Sequence, residues 1–238
     1  MPEKNVTDFM PVYLLSDKIV FPSPHLSRED GLLAVGGDLS KKRLLFAYRQ
    51  GIFPWFSNNE PIMWWSPDPR LVLFPHEIRI SKSLKKILKK KVFHITMDMA
   101  FDQVITACAN IRLENNEETW IVDEMIDAYS RLYRSGLAHS VEAWYNGKLA
   151  GGLYGVSLGS CFFGESMFTR ISNASKVAFA TLVEYLQTAS NCNMIDCQVT
   201  TKHLIRFGAK EIPRALFLKL LEKSLHAPTK RGKWKFDT

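Results

Sequence analysis

The stretch HSVEAWYNGKLAGGLYGV, residues 139–156, decides the fold class of this 238-residue chain. Asn146-Gly147 at its centre suits a two-residue type I′ turn, which needs positive φ at both positions. His139 to Tyr145 and Lys148 to Val156 therefore read as the two arms of a hairpin. Working outward toward the C-terminus, Ser160 to Met167 reads as a third strand. Asn173 is placed to cap a helix running to about Thr188, with Ala178, Phe179, Leu182, Val183 and Leu186 on its inner face. Met194 to Val199 reads as a short, apolar strand that carries two polar residues, Asp196 and Gln198. Two helices close the chain, the first stopping near Gly208 and the second spanning Arg214 to Leu225.

Working outward the other way, Asp123 to Gly136 and Phe101 to Ile111 have helical spacing, as does Ile80 to Lys90; Arg70 to Phe74 reads as a strand. Before it, Pro67 and Pro69 forbid a helix, and the boundary falls there. Residues 1–69 are expected to form a small N-terminal domain, with one helix from Lys41 to Gln50, and residues 70–238 a larger one. An antiparallel meander followed by a strand–helix–strand crossover makes the larger domain α+β with a mixed sheet. The same succession resembles the N-acetyltransferase (GNAT) fold.

Composition narrows the function. Hydrophobic residues at 46% and charged residues at 23% exclude wholesale disorder. No run of 18 apolar residues occurs and no basic-then-apolar start, so neither a membrane span nor a signal peptide is expected. Cys108, Cys161, Cys192 and Cys197 lack a CxxC pair and the six histidines are scattered, so no metal site and no disulfide framework is expected. The reading is a cytoplasmic protein. Neither GxGxxG nor GxxxxGK occurs, and Gly36-Gly37 reads as a turn before a helix. Lys and Arg number 31 against 24 Asp and Glu, a net charge of +7 that favours anionic partners.

That charge is concentrated. From Arg79 to Lys91 seven of thirteen residues are basic and none is acidic. At helical spacing Ile80, Leu84, Ile87 and Leu88 share one face, while Lys82, Lys85, Lys86 and Lys89 share the opposite one. Like charges on one face repel; phosphate binding relieves that repulsion and releases counterions. The tail, residues 230–235 (KRGKWK), offers a second basic contact. Trp55, Trp64 and Trp65, with Phe53 and Phe56, sit in proline-bounded loops, where aromatics serve either as core or as stacking platforms for an unpaired base. Polar residues inside apolar strands are the sharpest feature: Glu165 in FFGESMF, residues 162–168, and Asp196 with Gln198. Strand alternation places the last two on one face. A buried carboxylate needs a partner or a task, and apolar neighbours such as Phe162, Met167, Phe179, Leu182 and Ile195 suit a small-ligand pocket.

A GNAT domain that uses acetyl-CoA holds the pyrophosphate on a glycine-rich turn before its long helix. Here that turn is residues 169–176, TRISNASK, without glycine. Another acyl donor is favoured. The blocks GLLAVGGDL (31–39), GIFPWF (51–56), WWSPDPR (64–70), FGESMF (163–168), NASK (173–176) and IDCQ (195–198) together resemble the bacterial leucyl/phenylalanyl-tRNA–protein transferases, in consistent order from about Phe21 to Arg214.

The resemblance implies transfer of Leu or Phe, with Met a further donor, from aminoacyl-tRNA to proteins that begin with Arg or Lys, marking them for proteolysis. It implies no cofactor, because the acyl donor is already an activated ester, and a monomer working in the cytoplasm. It implies tRNA contacts at Arg79, Lys82, Lys85, Lys86, Lys89 and Lys90, and an aromatic platform for the terminal adenosine at Trp55, with Phe53 and Trp120 beside the substrate. The donor side chain would enter a pocket of Leu153, Phe162, Gly164, Met167, Phe179, Leu182 and Ile195. Asp196 and Gln198 would be catalytic, orienting and deprotonating the attacking amine. Glu165 would hold a substrate amino group at a carboxylate-rich mouth. Leu153 and Phe179 stand where the family usually has Met and Leu, and Thr201 where it has Asn; these bear on donor preference. A silent tRNA- or RNA-binding protein on a GNAT-like scaffold and an acyl-CoA N-acetyltransferase are the alternatives.

Overall fold

Short extended runs between prolines and glycines build a first, small sheet. The computed structural model describes residues 11–114 and 119–235. β1 (Tyr13–Leu15) and β2 (Leu32–Gly36) precede α1 (Lys41–Arg49), and β3 (Phe53–Pro54) and β4 (Met63–Trp65) follow it, in the sheet order β1-β2-β4-β3. These strands are two to five residues long, too short to show a period, which is why the sequence reads as turns and aromatics. Ser40 caps α1 by accepting from the Arg43 N–H.

The second sheet holds the remaining strands. In chain order they are β5 (Arg70–Leu73), α2 (Lys82–Lys89), β6 (His94–Met97), α3 (Phe101–Glu114), α4 (Asp123–Arg134), β7 (Ala138–Tyr145), β8 (Lys148–Leu158), β9 (Cys161–Thr169), α5 (Ala174–Thr188), β10 (Met194–Asp196), α6 (Lys202–Arg206), β11 (Lys210–Ile212) and α7 (Arg214–Leu225). Seven strands line up as β11-β5-β10-β9-β8-β7-β6. The hairpin turns at Asn146 and Gly147, with φ of 50° and 73°. β10 lies parallel to β9 through the α5 crossover and every other pairing is antiparallel. The α+β class with a mixed sheet holds; β6 and β11, both edge strands, carry no periodic signal that the sequence reading used.

Alternation along the strands divides the core in two. Val72, Tyr154, Val156, Phe163 and Met194 join one cluster with residues of α1, α3, α4 and α7, while Leu71, Leu73, Leu153, Phe162 and Ile195 join another with α2 and α5. Among the described residues no helix is long and apolar enough to cross a membrane.

Two irregularities position the site. Tyr154 pairs with Ser166 and Gly155 with Gly164, so Glu165 is the extra residue of a β-bulge in β9. Gly155 is required opposite it, since a Cβ there would lie 2.2 Å from the Phe163 carbonyl oxygen. β10 pairs with β9 only from Met194 to Asp196, whereas β9 continues to Thr169, so the sheet parts beyond Asp196. The strand expected through Val199 stops there, and Gln198 turns out of it with a left-handed φ of 61°. Asn173 also differs from expectation. It precedes α5 at φ 72° with no side-chain cap, and its Oδ1 accepts from Lys176 Nζ instead.

Candidate active site

Where β9 and β10 part, a cavity of about 510 Å³ opens between the sheet, α5 and the small sheet's β3 loop. Leu153 and Met167, paired across β8 and β9, form one side with Phe162 and Gly164. Phe179 and Leu182 of α5 and Ile195 of β10 complete the apolar wall. Phe53, Trp55 and Trp120 lie toward the mouth. Trp55 is 40% exposed while Trp64, Phe53 and Phe56 are buried, so the aromatic cluster divides between an exposed ring and core rings. Trp65 supports Trp55 by donating its indole N–H to the Trp55 carbonyl at 2.6 Å, with the rings 5.7 Å apart.

Glu165 and Gln198 face each other across the parted strands, and Gln198 Nε2 donates to Glu165 Oε1 at 3.1 Å. Tyr48 of α1 donates to the same oxygen at 2.7 Å and Tyr129 of α4 to Oε2 at 3.0 Å. The two phenol oxygens also lie within hydrogen-bonding distance, a bond that either phenol can donate only in place of its bond to Glu165. Among the described residues no cation is hydrogen-bonded to Glu165. Burial pushes the Glu165 carboxyl up to about 7, helped by the charge of Asp196 and opposed by its tyrosine and glutamine donors. Burial, and then the Glu165 charge, push both phenols well above their ordinary value, so they stay protonated donors. The sequence reading missed Tyr48 as a site residue and did not single out Tyr129. The available signal was that a buried tyrosine on an inner helix face needs a partner for its hydroxyl.

Asp196 is elsewhere. It is fully buried on the sheet face opposite Ile195, outside the cavity lining. Arg70 grips it with two bonds, Nε to Oδ1 at 2.8 Å and Nη2 to Oδ2 at 2.6 Å, and the Arg70 guanidinium is sandwiched by Phe53 and Phe217 at 4.8 and 4.7 Å. Asp196 Oδ1 also accepts from the Gln198 backbone N–H at 2.9 Å. The expectation that Asp196 and Gln198 share a face in the pocket is therefore corrected. Alternation puts Asp196 behind the wall that Ile195 forms, and the left-handed turn brings only Gln198 round into the cavity.

The mouth is not rich in carboxylates either. Among the described residues lining the cavity, Glu165 is the one carboxylate, against Arg112, Lys176 and His203. Burial, then Lys176 and Arg206, hold His203 below its ordinary value. Such a rim suits an anion better than a cationic side chain.

On the outer surface, Arg79, Lys82, Lys85, Lys86, Lys89 and Lys90 are all exposed and make no ion pair among the described residues. Their helix α2 packs on α5, the helix that contributes Phe179 and Leu182 to the cavity. In the basic tail Lys230, Arg231, Lys233 and Lys235 are exposed, while Trp234 is 1% exposed and belongs to the core.

Relatives share this chain over nearly all of its length. A leucyl/phenylalanyl-tRNA–protein transferase of Desulfatibacillum aliphaticivorans is 59% identical over 229 residues, covering 96% of this chain and 98% of that protein. Proteins of the same name from Syntrophobacter fumaroxidans and Desulforapulum autotrophicum are 56% and 55% identical, covering 96% and 95% of this chain and 97% and 99% of theirs. Among solved structures, a conserved protein of unknown function from Bacteroides thetaiotaomicron is 9% identical over 67% of this chain and 56% of its own, with a TM-score of 0.39. The family model for leucyl/phenylalanyl-tRNA protein transferase matches residues 72–222, and the model for that family's N-terminal domain matches residues 37–68. The chain belongs to the leucyl/phenylalanyl-tRNA–protein transferase family.

Proposed function

We propose that this aminoacyltransferase carries leucine or phenylalanine from the 3′ end of tRNA to the N-terminal amine of acceptor proteins, and that the two substrates meet in the cavity. One observation carries the reading. An apolar pocket ends at a half-buried carboxylate whose midpoint is pushed up to about 7, faced by an amide across a gap in the sheet.

The wall of Leu153, Phe162, Met167, Phe179, Leu182 and Ile195 takes the donor side chain, and Gly164 leaves room beside it. Leucine and phenylalanine are unbranched at Cβ, and a narrow entrance rejects Ile and Val by shape, within the roughly 1–3 kcal/mol that one methylene allows. Trp55, with Phe53 and Trp120 beside it, stacks the terminal adenosine. Arg112 and Lys176 favour the anionic backbone at the mouth, and Arg79, Lys82, Lys85, Lys86, Lys89 and Lys90 the phosphates beyond it.

The acceptor amine has a reference pKa of roughly 7.7–8.0 and must lose its proton to attack. Gln198, whose Nε2 is engaged by Glu165, presents Oε1 to the amine. The ammonium proton leaves to solvent before attack, and Glu165, about half ionised at neutral pH, takes the second proton as the new C–N bond forms. The C–O bond to the ribose breaks, and the same proton passes to the leaving ribose oxygen. Asp196 is catalytic only at one remove: it fixes the Gln198 backbone while Arg70 fixes Asp196. Holding both reactants together supplies up to about 7–11 kcal/mol of the barrier.

Acceptors beginning with Arg or Lys are part of the same proposal. That preference rests on the family resemblance, with Glu165 as the single carboxylate on the wall. So are a cytoplasmic monomer, a small N-terminal domain over residues 1–69, and a GNAT-like domain over 70–238, which the β9–α5–β10 crossover supports. The test is transfer of label from charged leucyl-tRNA to a peptide that begins with Arg. Label in the peptide from leucyl-tRNA and none from acetyl-CoA is the expected result; a folded protein that binds charged tRNA and labels nothing overturns it.

A further inference from the structure

Trp234 lies beyond the residues matched by either family model, in a tail where its neighbours Lys233 and Lys235 are exposed. It is nonetheless 1% exposed. Its backbone N–H donates to Asp98 Oδ2 at 2.7 Å, an oxygen that also bonds His139 Nδ1 at 2.8 Å. Its ring stacks on His139 with centroids 3.7 Å apart and planes 8° from parallel. Tyr185 of α5 lies 5.0 Å away and Phe162 of β9 5.9 Å away.

The rest of the tail is fastened on both sides of the indole's entry. Thr229 Oγ1 accepts from the Gly159 N–H at 2.8 Å, Lys230 Nζ donates to the Ala189 carbonyl at 2.9 Å, and the Gly232 N–H to the Gly136 carbonyl at 3.3 Å. A basic surface segment has little reason to be tied in this way unless what it carries inward matters.

Phe162 lines the cavity with one side of its ring region and meets Trp234 with another. Toward β8 it is already pressed on Gly155, where a Cβ would lie 2.5 Å from the Phe162 Cζ. On the tail side its neighbour is the Trp234 ring. We infer that Trp234 is a positioning residue that sets the depth of the donor side-chain pocket by bracing Phe162 from behind, an inference that rests on the reading of the apolar cavity as the donor site.

Replacing the indole with a methyl group leaves a void beside Phe162, Tyr185 and the His139 ring that has the shape of the lost indole and can accept a small aromatic molecule. Phe162 then swings back and the pocket deepens, which favours the longer donor. The experiment compares kcat/KM for phenylalanyl-tRNA and leucyl-tRNA in the full chain. Trp234→Ala is expected to raise the phenylalanine-to-leucine ratio about 5- to 10-fold, within the range one pocket contact provides. The change falls on KM for leucyl-tRNA with kcat nearly kept, Trp234→Phe gives a smaller shift, and free indole restores the parent ratio.

Phe162→Ala is the control for the pocket itself. If it shifts the ratio while folded Trp234→Ala does not, the bracing role is overturned and the pocket assignment stands. An unchanged ratio in Phe162→Ala overturns both. A fall that is equal for both donors, and indifferent to indole, makes Trp234 a stabilising residue only and likewise overturns the inference. Should Trp234→Ala fail to fold, Trp234→Phe decides by the same ratio.

Discussion

Two carboxylates, one buried and one half-buried, separated by one strand gap, sit in opposite chemical settings. Around Asp196 the protein supplies a guanidinium in a two-point grip, a backbone N–H and aromatic rings on the cation's faces. Around Glu165 it supplies only neutral donors, Tyr48, Tyr129 and Gln198, and an open cavity on the remaining side. A charge matched by a buried countercharge is fixed, and costly to disturb. A charge solvated by phenols and an amide alone keeps a proton affinity useful near neutrality. The difference separates scaffold from chemistry better than residue type does.

The largest effect is expected at the scaffold end. Asp196→Ala strands the Arg70 guanidinium and is expected to cost about 3–5 kcal/mol of stability, read by urea unfolding, with transfer falling further than the folded fraction because Gln198 also loses its anchor. Pairing Arg70→Met with Asp196→Leu recovers most of that stability and little of the transfer, because Gln198 loses its anchor. A stable, inert Asp196→Ala would erase the distinction and put its carboxylate in the reaction.

Glu165→Gln tests the other end. It is expected to keep the fold and lower kcat by about 10²–10⁴-fold, the usual contribution of a general base. In the parent the rate climbs as pH rises through about 7, where the carboxyl loses its proton; the variant lacks that limb. The sign for stability is opposite. A folded midpoint of about 7, raised from 4.5, gives stability that is complete below 4.5 and lost as pH climbs through 7, at most about 3 kcal/mol. Glu165→Gln therefore gains on the parent between pH 5 and 8 in thermal melts, and equal pH dependence in both proteins would contradict the assignment.

Removing single phenol donors sharpens the comparison further. Tyr48→Phe and Tyr129→Phe each withdraw a bond to the ionised carboxylate, worth roughly 1.5–3 kcal/mol. The acid limb moves up by about one to two units, more for Tyr48 with its 2.7 Å bond than for Tyr129 at 3.0 Å, so activity lost at pH 7 returns at pH 9. Smallest is the effect on chemistry of replacing Lys82, Lys85, Lys86 and Lys89 with Gln. The slope of log affinity against log salt for tRNA drops by about 3 while the pH profile stays in place; a displaced profile would couple surface and centre.

Much of this was readable from the chain. The hairpin at Asn146-Gly147, the α5 crossover and the basic face of α2 follow from local spacing, because each is decided by neighbours in sequence, whereas the complete apolar wall, with Leu153 and Gly164, came from the family resemblance. The ion pair of Arg70 with Asp196 was not readable, since its partners lie 126 positions apart and meet only when β5 pairs with β10. Alternation, applied from Ile195 rather than between Asp196 and Gln198, would have placed Asp196 behind the wall. The Tyr48–Tyr129 bond likewise joins two helices that nothing local connects, and the four-stranded sheet is built from strands too short to leave a period.

The bulge in β9 sets how this sheet tolerates change in length. Excising Glu165 would bring Gly164 and Ser166 into unbroken pairing opposite Gly155 and Tyr154. The most regular ladder available to these strands is thus an inert one, and activity depends on a single surplus residue that orderly pairing would discard. Deletions that tidy β9 are expected to leave a well-formed but chemically empty protein.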